Sequence, residues 1–294
     1  VNNQIGDGSF FDTGQRLGTQ DATGAAAGDF DGDGDSDILV VTGAATDAVW
    51  LNDGDARFTL GAFTSSAGSR AAAVGDVNHD GKLDAVVLRA GQRPRVYIGR
   101  GNGSFTERPF DDPAIDGDAV ALADLDDDED LDAFVVGANQ VGRIWLNDGD
   151  GNFRDSGQQL PAADSRDVAL HDVNGDGDVD AVVANHDGSR VWLNDGDGEF
   201  SMGAALGLAD SNAVALGDVN GDGRIDAVLA NTGEPNRVWL GTGSGSFTRD
   251  VQVGTQPGQD VALADGDGDA DVDIFTASAT SCPGCVPTCT SRVK

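Results

Sequence analysis

Six times along this 294-residue chain an acidic nine-residue segment recurs at intervals of 46 to 48 residues, each time followed by a run that reads as a β-strand. The copies are DFDGDGDSD (29–37), DVNHDGKLD (76–84), DLDDDEDLD (124–132), DVNGDGDVD (172–180), DVNGDGRID (218–226) and DGDGDADVD (265–273). A repeat at this period means a propeller, solenoid or array, in which each unit is one supersecondary element that cannot bury its apolar face alone. The expected organisation is therefore a single domain over residues 1–294.

Between the acidic segments the pattern is constant. In the copy at 213–247, AVALGDV leads into the loop, AVLAN follows it, RVWL comes after a short polar turn, and GSF opens a fourth segment. Short apolar runs bounded by Gly, Asn and Asp are strand signals, and no stretch carries a 3.6-residue apolar period. The register is marked again by Phe10, Phe58, Phe105, Phe153, Phe200 and Phe247, and by Trp50, Tyr97, Trp145, Trp192 and Trp239 before a Gly-rich turn. Such an aromatic ladder is expected to be core between repeats. The turn, NDGDG in its fullest copies, has the residues a tight hairpin with φ > 0 requires, although Asp53 with Asp55, or Asp148 with Asp150, also has the chemistry to hold a cation.

Four-strand units repeated radially predict an all-β fold, a β-propeller of four-stranded antiparallel blades. The spacing gives six blades. Residues 1–17 match the third-to-fourth strand region of a repeat (GDGSFFDTGQRL beside GDGNFRDSGQQL), while residues from 262 onward supply only first strands, so the last blade is expected to be closed by both termini.

Hard cations take oxygen ligands, calcium six to eight of them. Positions 1, 3, 5, 7 and 9 of each loop are the candidate ligands. They are Asp29, Asp31, Asp33, Asp35 and Asp37; Asp76, Asn78, Asp80, Lys82 and Asp84; Asp124, Asp126, Asp128, Asp130 and Asp132 in the first three copies. In the last three they are Asp172, Asn174, Asp176, Asp178 and Asp180; Asp218, Asn220, Asp222, Arg224 and Asp226; Asp265, Asp267, Asp269, Asp271 and Asp273. Lys82 and Arg224 show that position 7 must contribute its backbone carbonyl. Clustered carboxylates without a cation would repel one another, so about six Ca2+, one per blade, are expected. An EF-hand is excluded, because position 12 is Val40, Val87, Val135, Val183 or Leu229 rather than Glu and a strand follows. Gly at position 6 allows a sharp turn; Glu129 and Ala270 stand there in the third and sixth copies, where strain is expected to weaken the site.

These D-x-[DN]-x-D-G-x-x-D loops, the LNDGDGxF turn and the propeller-length period resemble the FG-GAP/VCBS repeat family, which includes the propeller of integrin α-subunits. The resemblance covers essentially the whole chain. It implies an extracellular protein with calcium between the first two strands of a blade, serving adhesion, carbohydrate recognition or protein recognition. Integrin propellers have more blades and fill fewer of the loops, so their ligand site does not transfer.

A net charge of -33 argues against nucleic acid and anionic membranes as partners, and with Lys only at 82 and 294 it fits a solvated or salt-adapted surface. No apolar run approaches the roughly 20 residues that span a bilayer. The start at Val1 is read as a mature chain whose signal peptide has been removed. Variable segments (91–95, 107–118 and 276–292) are expected on the rim opposite the acidic loops, where a protein or glycan ligand would bind. Arg95, Arg143, Arg190, Arg237 and Arg292 either ring that surface or pair with Asp118, Asp167 or Asp260. Cys282, Cys285 and Cys289 allow one disulfide and one odd thiol, open to a partner chain.

Catalysis has no evident constellation, since His79, His171 and His186 sit in no nucleophile or metalloprotease motif. The expectation is a non-catalytic recognition or adhesion protein. The alternatives are a calcium-dependent polysaccharide-active enzyme and a structural subunit of a cell-surface assembly or filament.

Overall fold

The computed structural model describes residues 13–18, 21–62, 67–110 and 116–277. All regular structure in them is β. The first repeat comprises β1 (Ala22–Gly28), β2 (Asp37–Thr42), β3 (Ala48–Asn52) and β4 (Phe58–Leu60); the second β5 (Ser69–Gly75), β6 (Asp84–Arg89), β7 (Arg95–Gly99) and β8 (Phe105–Pro109). The third has β9 (Ala119–Ala123), β10 (Asp132–Val136), β11 (Ala138–Leu146) and the 18-residue β12 (Arg154–His171), whose second half opens the fourth repeat with β13 (Asp180–Asn185), β14 (Ser189–Asn194) and β15 (Phe200–Leu206). The fifth runs β16 (Ser211–Gly217), β17 (Asp226–Asn231), β18 (Asn236–Gly241) and β19 (Phe247–Val253), and the sixth keeps β20 (Asp260–Ala264) and β21 (Asp273–Ala277). Within each repeat the strands pair antiparallel in sequence order.

The described residues divide into two compact units, up to residue 161 and from residue 162, the change falling inside β12. In each unit the cores lie between consecutive repeats. In the first unit Leu39, Val41 and Val49 pack with Ala85, Val87 and Tyr97, and Val86, Leu88 and Val96 pack with Ala133, Val135 and Trp145. The second unit repeats this with Val182, Ala184 and Val191 against Val214, Ala227 and Leu229, and with Val228, Ala230 and Val238 against Val261 and Ile274. A sheet covered on both faces buries every residue of its second strand, so β6, β13 and β17 read as unbroken apolar runs rather than alternating ones. First strands of neighbouring repeats pack on each other, β1 on β5, β5 on β9 and β16 on β20. They are rich in Ala and Gly because the next sheet arrives close: a Cβ on Gly28 would stand 2.3 Å from Leu83 Cδ1, and one on Gly75 2.5 Å from Leu131 Cδ1.

Of the aromatic ladder, Tyr97, Trp145, Phe153, Trp192 and Phe200 are buried in the core, Trp50, Phe58, Phe105, Trp239 and Phe247 are partly buried, and Phe10 lies outside the described residues. Phe110 meets Trp145 edge-on at 5.7 Å and stacks on Phe153 at 4.9 Å, and Phe30 meets Phe105 at 5.8 Å. Closure of the sixth repeat falls on residues 1–12, outside the described residues. Residues 13–18 carry no strand; Gln15 instead uses its side-chain amide on Phe58 of β4, donating to O at 2.6 Å and accepting from N at 3.2 Å.

Each acidic segment ends on the first residue of a second strand, and that aspartate ties the repeat together. Asp84 is fully buried; Oδ2 accepts from Val77 N at 3.0 Å in the loop and Oδ1 from Gly99 N at 2.7 Å at the end of β7. The same pair of bonds joins Asp37 to Phe30 and Asn52, Asp132 to Leu125 and Asn147, Asp180 to Val173 and Asn194, and Asp226 to Val219 and Gly241. Burial pushes Asp84 and Asp180 up to about 6, Asp132 up to about 7, and raises Asp226, against the amide bonds that lower them. Asp167, whose Oδ2 accepts from Val214 N in the next repeat at 2.9 Å, is likewise raised by burial to about 6.

Two outcomes are expected. Asp84→Ala strands two buried amides, each worth about 1–3 kcal/mol, and lowers the unfolding free energy accordingly, read by denaturant melts. Because these carboxylates bind protons more tightly folded than unfolded, where they titrate near about 3.9, stability is highest below that value and is lost as pH rises through about 6 to 7. In chelator, thermal midpoints should therefore rise as pH falls from about 7.5 to 4.5; a falling midpoint would refute the assignment.

Candidate metal loops

The six loops share one hydrogen-bond frame. The carboxylate at position 1 is its hub: its Oδ2 accepts the position-6 amide in every copy, from Gly34, Gly81, Glu129, Gly177, Gly223 and Ala270 at 2.7–3.0 Å. The position-7 amide donates to the position-5 carboxylate in all six, from Asp35, Lys82, Asp130, Asp178, Arg224 and Asp271. Position 6 has positive φ throughout, including Glu129 (72°) and Ala270 (69°), so the strain expected in the third and sixth copies is present. It does not open them, because both residues make the same amide bond as the glycines.

Carboxylates converge where the alternation placed them. Oxygens of Asp29, Asp31 and Asp33 lie within 4.8 Å of one another, as do those of Asp265, Asp267 and Asp269, and in the third loop those of Asp124, Asp126 and Asp132. One cation at calcium's 2.3–2.6 Å ligand distance can touch all three oxygens of such a set. In the second, fourth and fifth loops Asn78, Asn174 and Asn220 take position 3, and their Oδ1 accepts the position-5 amide.

The third loop supplies the test of fit. Asp126 Oδ1 is buried without a hydrogen-bond partner, and burial first, then Asp128, Asp124 and Asp130, raise its pKa. An orphaned carboxylate oxygen facing three other carboxylates is a cation ligand in its chemistry. Burial and neighbouring carboxylates raise Asp31 in the same way. In contrast, Asp218 and Asp265 are held below the usual range: at Asp265 the Ala270 amide leads, and at Asp218 loop amides outweigh desolvation.

Position 7 does something the spacing did not indicate. Its side chain leaves the loop and lies over the hairpin turn of its own repeat, where a Cβ on Gly54 would stand 2.6 Å from Asp35 Oδ2, one on Gly149 2.7 Å from Asp130 Oδ2, and one on Gly196 2.9 Å from Asp178 Oδ1. Where position 7 is basic the charge folds back: Lys82 Nζ reaches Asp80 at 3.0 Å and Arg224 reaches Asp222 at 3.5 Å. Those loops carry part of a cation's charge already. Position 2 was also overlooked: Phe30, Val77, Leu125, Val173 and Val219 are buried, and their apolar character in five copies is the signal that could have shown it. The carbonyls of Phe30 and Val173 accept from Gly103 and Gly245, in the turn of the following repeat, at 2.9 and 3.3 Å. His79, at position 4 of the second loop, lies 3.4 Å from Asp130 and 3.2 Å from the Glu129 carbonyl of the third.

The NDGDG segments are hairpin turns. Asp53 Oδ1 accepts from Asp55 and Arg57, Asp148 Oδ1 from Asp150 and Asn152, and Asp195 Oδ1 from Asp197 and Glu199. These bonds, with the Asn152 side chain, overcome desolvation and hold Asp148 low. The arginine pairs are a correction. Arg95 binds Glu107 at 2.7 Å and Arg143 binds Asp155, both on the fourth strand of their own repeats, because the strand register brings those carboxylates closer than the first strand of the next repeat. Asp118 is taken by Arg70 instead. Arg292 and Cys282, Cys285 and Cys289 lie outside the described residues.

No curated protein matches the chain. Among solved structures, the BP39L lectin from Burkholderia pseudomallei matches with a TM-score of 0.71 at 17% identity, over 87% of this chain and 78% of that one. A lectin from Agrocybe aegerita, described for its specific recognition of non-reducing terminal N-acetylglucosamine, matches at 0.58 and 22% identity over 86% and 73%. The computationally designed Ika8 protein matches at 0.55 and 14% identity over 87% and 70%. At these identities the likeness is one of fold. The family model of the FG-GAP-like repeat matches residues 29–87, 76–135, 172–229 and 218–276, each span running from one acidic loop through the next, and the chain belongs to that family.

Proposed function

We propose that this protein is an extracellular, calcium-stabilised six-bladed propeller that recognises carbohydrate without catalysing a reaction. The observation that carries the metal is Asp126 Oδ1, buried without a hydrogen-bond partner beside Asp124 and Asp132, whose mutual repulsion a cation would relieve. Six loops on one frame argue for a metal in each repeat, with the second and fifth the weakest because Lys82 and Arg224 already sit against their carboxylates. Carbohydrate recognition is supported by a fold shared with two lectins over most of the chain, together with membership of a repeat family. No helix of the described residues is long and apolar enough to cross a membrane.

The metal's contribution is to folding. Ligands that bind only the native state stabilise it by mass action, about 2.7 kcal/mol per site at a hundredfold excess over Kd. Calcium titration by calorimetry should show several sites and chelator should lower the melting temperature markedly. Asp126→Asn should remove one site, whereas an unchanged melt in chelator would refute the metal assignment. An array of neutral and acidic glycans, probed with calcium present, tests recognition; a blank array would overturn it.

A further inference from the structure

Register places the acidic loop and the connections between repeats at opposite ends of each sheet. In the fifth repeat Gly217 pairs with Asp226 at the loop end, and Ser211 with Asn231 at the other. At that other end a cavity of about 320 Å³ is lined by Leu206, Leu208, Leu229, Glu234, Arg237 and Trp239. Three features there go beyond what packing the repeats requires. Arg237 Nε is buried without a hydrogen-bond partner among the described residues. Leu208 is 89% exposed on the lip. Trp239, unlike Trp145 at the same place in the third repeat, is not fully buried.

The walls are fixed. Asn231 Nδ2 donates to the Pro235 carbonyl at 3.0 Å, its Oδ1 accepts from Ser211 Oγ at 2.9 Å, and its own amide donates to Asn236 Oδ1 at 3.1 Å, holding the turn that carries Glu234. Gly207, at φ 77°, lets the connecting segment pass against the indole: a Cβ there would stand 3.0 Å from Trp239 Cζ2.

The third repeat is an internal control. Its equivalent cavity, about 250 Å³, is lined by Gly117, Val135, Gln140 and Arg143. There the arginine is neutralised by Asp155 and the indole of Trp145 is 1% exposed and absent from the lining. The pocket exists in both repeats, and each has a carboxylate in its lining, Asp116 in the third and Glu234 in the fifth; of the two, the fifth adds an unpaired guanidinium Nε, an aromatic surface and an apolar lip.

We propose that the cavity beside β18 is a sugar-binding site, taking one neutral terminal ring that bears a methyl group. It rests on the carbohydrate reading above and says where that recognition occurs. Sugar hydroxyls both accept and donate, matching Arg237 and Glu234, while the C–H face of the ring packs on Trp239 and the methyl of an acetamido or deoxy position meets Leu206 and Leu208. The volume lies at the small end of ligand pockets, which run from about 300 Å³, and fits one ring. Glu234 and the overall charge of -33 disfavour acidic sugars.

The test uses the calcium-loaded chain, with free N-acetylglucosamine and fucose as probes and glucose as the ring lacking a methyl substituent, followed by tryptophan fluorescence and calorimetry. Binding of a methyl-bearing sugar should weaken about tenfold or more in Arg237→Met and Glu234→Gln, and remain within about twofold in Arg143→Met. Glu234 is exposed, so Glu234→Gln decides if Arg237→Met loses its melting transition. Sugar binding that survives both substitutions would overturn this site and leave the lectin reading standing. If neither probe nor any arrayed glycan binds the wild-type chain, both fall.

Discussion

The structure depends on one buried carboxylate per repeat. The aspartate that ends each acidic segment accepts one amide from the loop behind it and one from the end of the third strand, five times over among the described residues. A carboxylate offers two oxygens, so one side chain accepts both amides at once. The charge, however, is taken out of water, and burial answers by raising the pKa of Asp84, Asp132, Asp180 and Asp226. A repeat built on a buried anion, beside further carboxylates in the same loop, gains from a cation more than an ordinary acidic turn does.

The loop is a hydrogen-bonded object before any metal enters it. Position 1 gathers the amides of later residues, position 5 receives position 7, and position 6 takes positive φ whether it is glycine, Glu129 or Ala270. This explains why substitution at position 6 is tolerated: the amide bond to position 1 offsets a backbone cost of order 1–3 kcal/mol. It also separates the roles of the acidic residues. Positions 1, 3 and 5 converge in the first and sixth loops and positions 1, 3 and 9 in the third, position 9 is structural as well as acidic, and position 7, whose charge varies between copies, lies over the hairpin turn of its own repeat.

Much of this was legible in the sequence, because the acidic nonapeptide fixes both the turn and the start of the following strand, and the Phe and Trp markers fix the register of the other two. The four-strand repeat from Ser211 to Val253 falls where the pattern puts it. The arginine pairing was not legible. Arg95 and Arg143 stand two residues before Tyr97 and Trp145, and only the cross-strand geometry reveals that Glu107 and Asp155 lie within reach. Position 2 escaped because an apolar residue inside an acidic run looks like filler until its burial against the next repeat is seen. The destination of position 7 escaped for a similar reason: spacing says which residues share a face, not where a long side chain ends.

The two ends of each sheet are under different physical constraints. At the loop end, carboxylates, amides and the turn of the following repeat interlock, so a change at Phe30 or Val173 disturbs two repeats at once. At the other end the chain only needs to cross to the next repeat, and the crossings differ in length and chemistry. Arg143 and Arg237 occupy the same place in their repeats, yet one is neutralised by a neighbour and the other is left with an unpaired Nε beside an accessible indole. A buried donor without a partner weakens the fold unless something supplies an acceptor. That unpaired Nε, at the end of the sheet away from the acidic loops, is the physical reason to look for a ligand there.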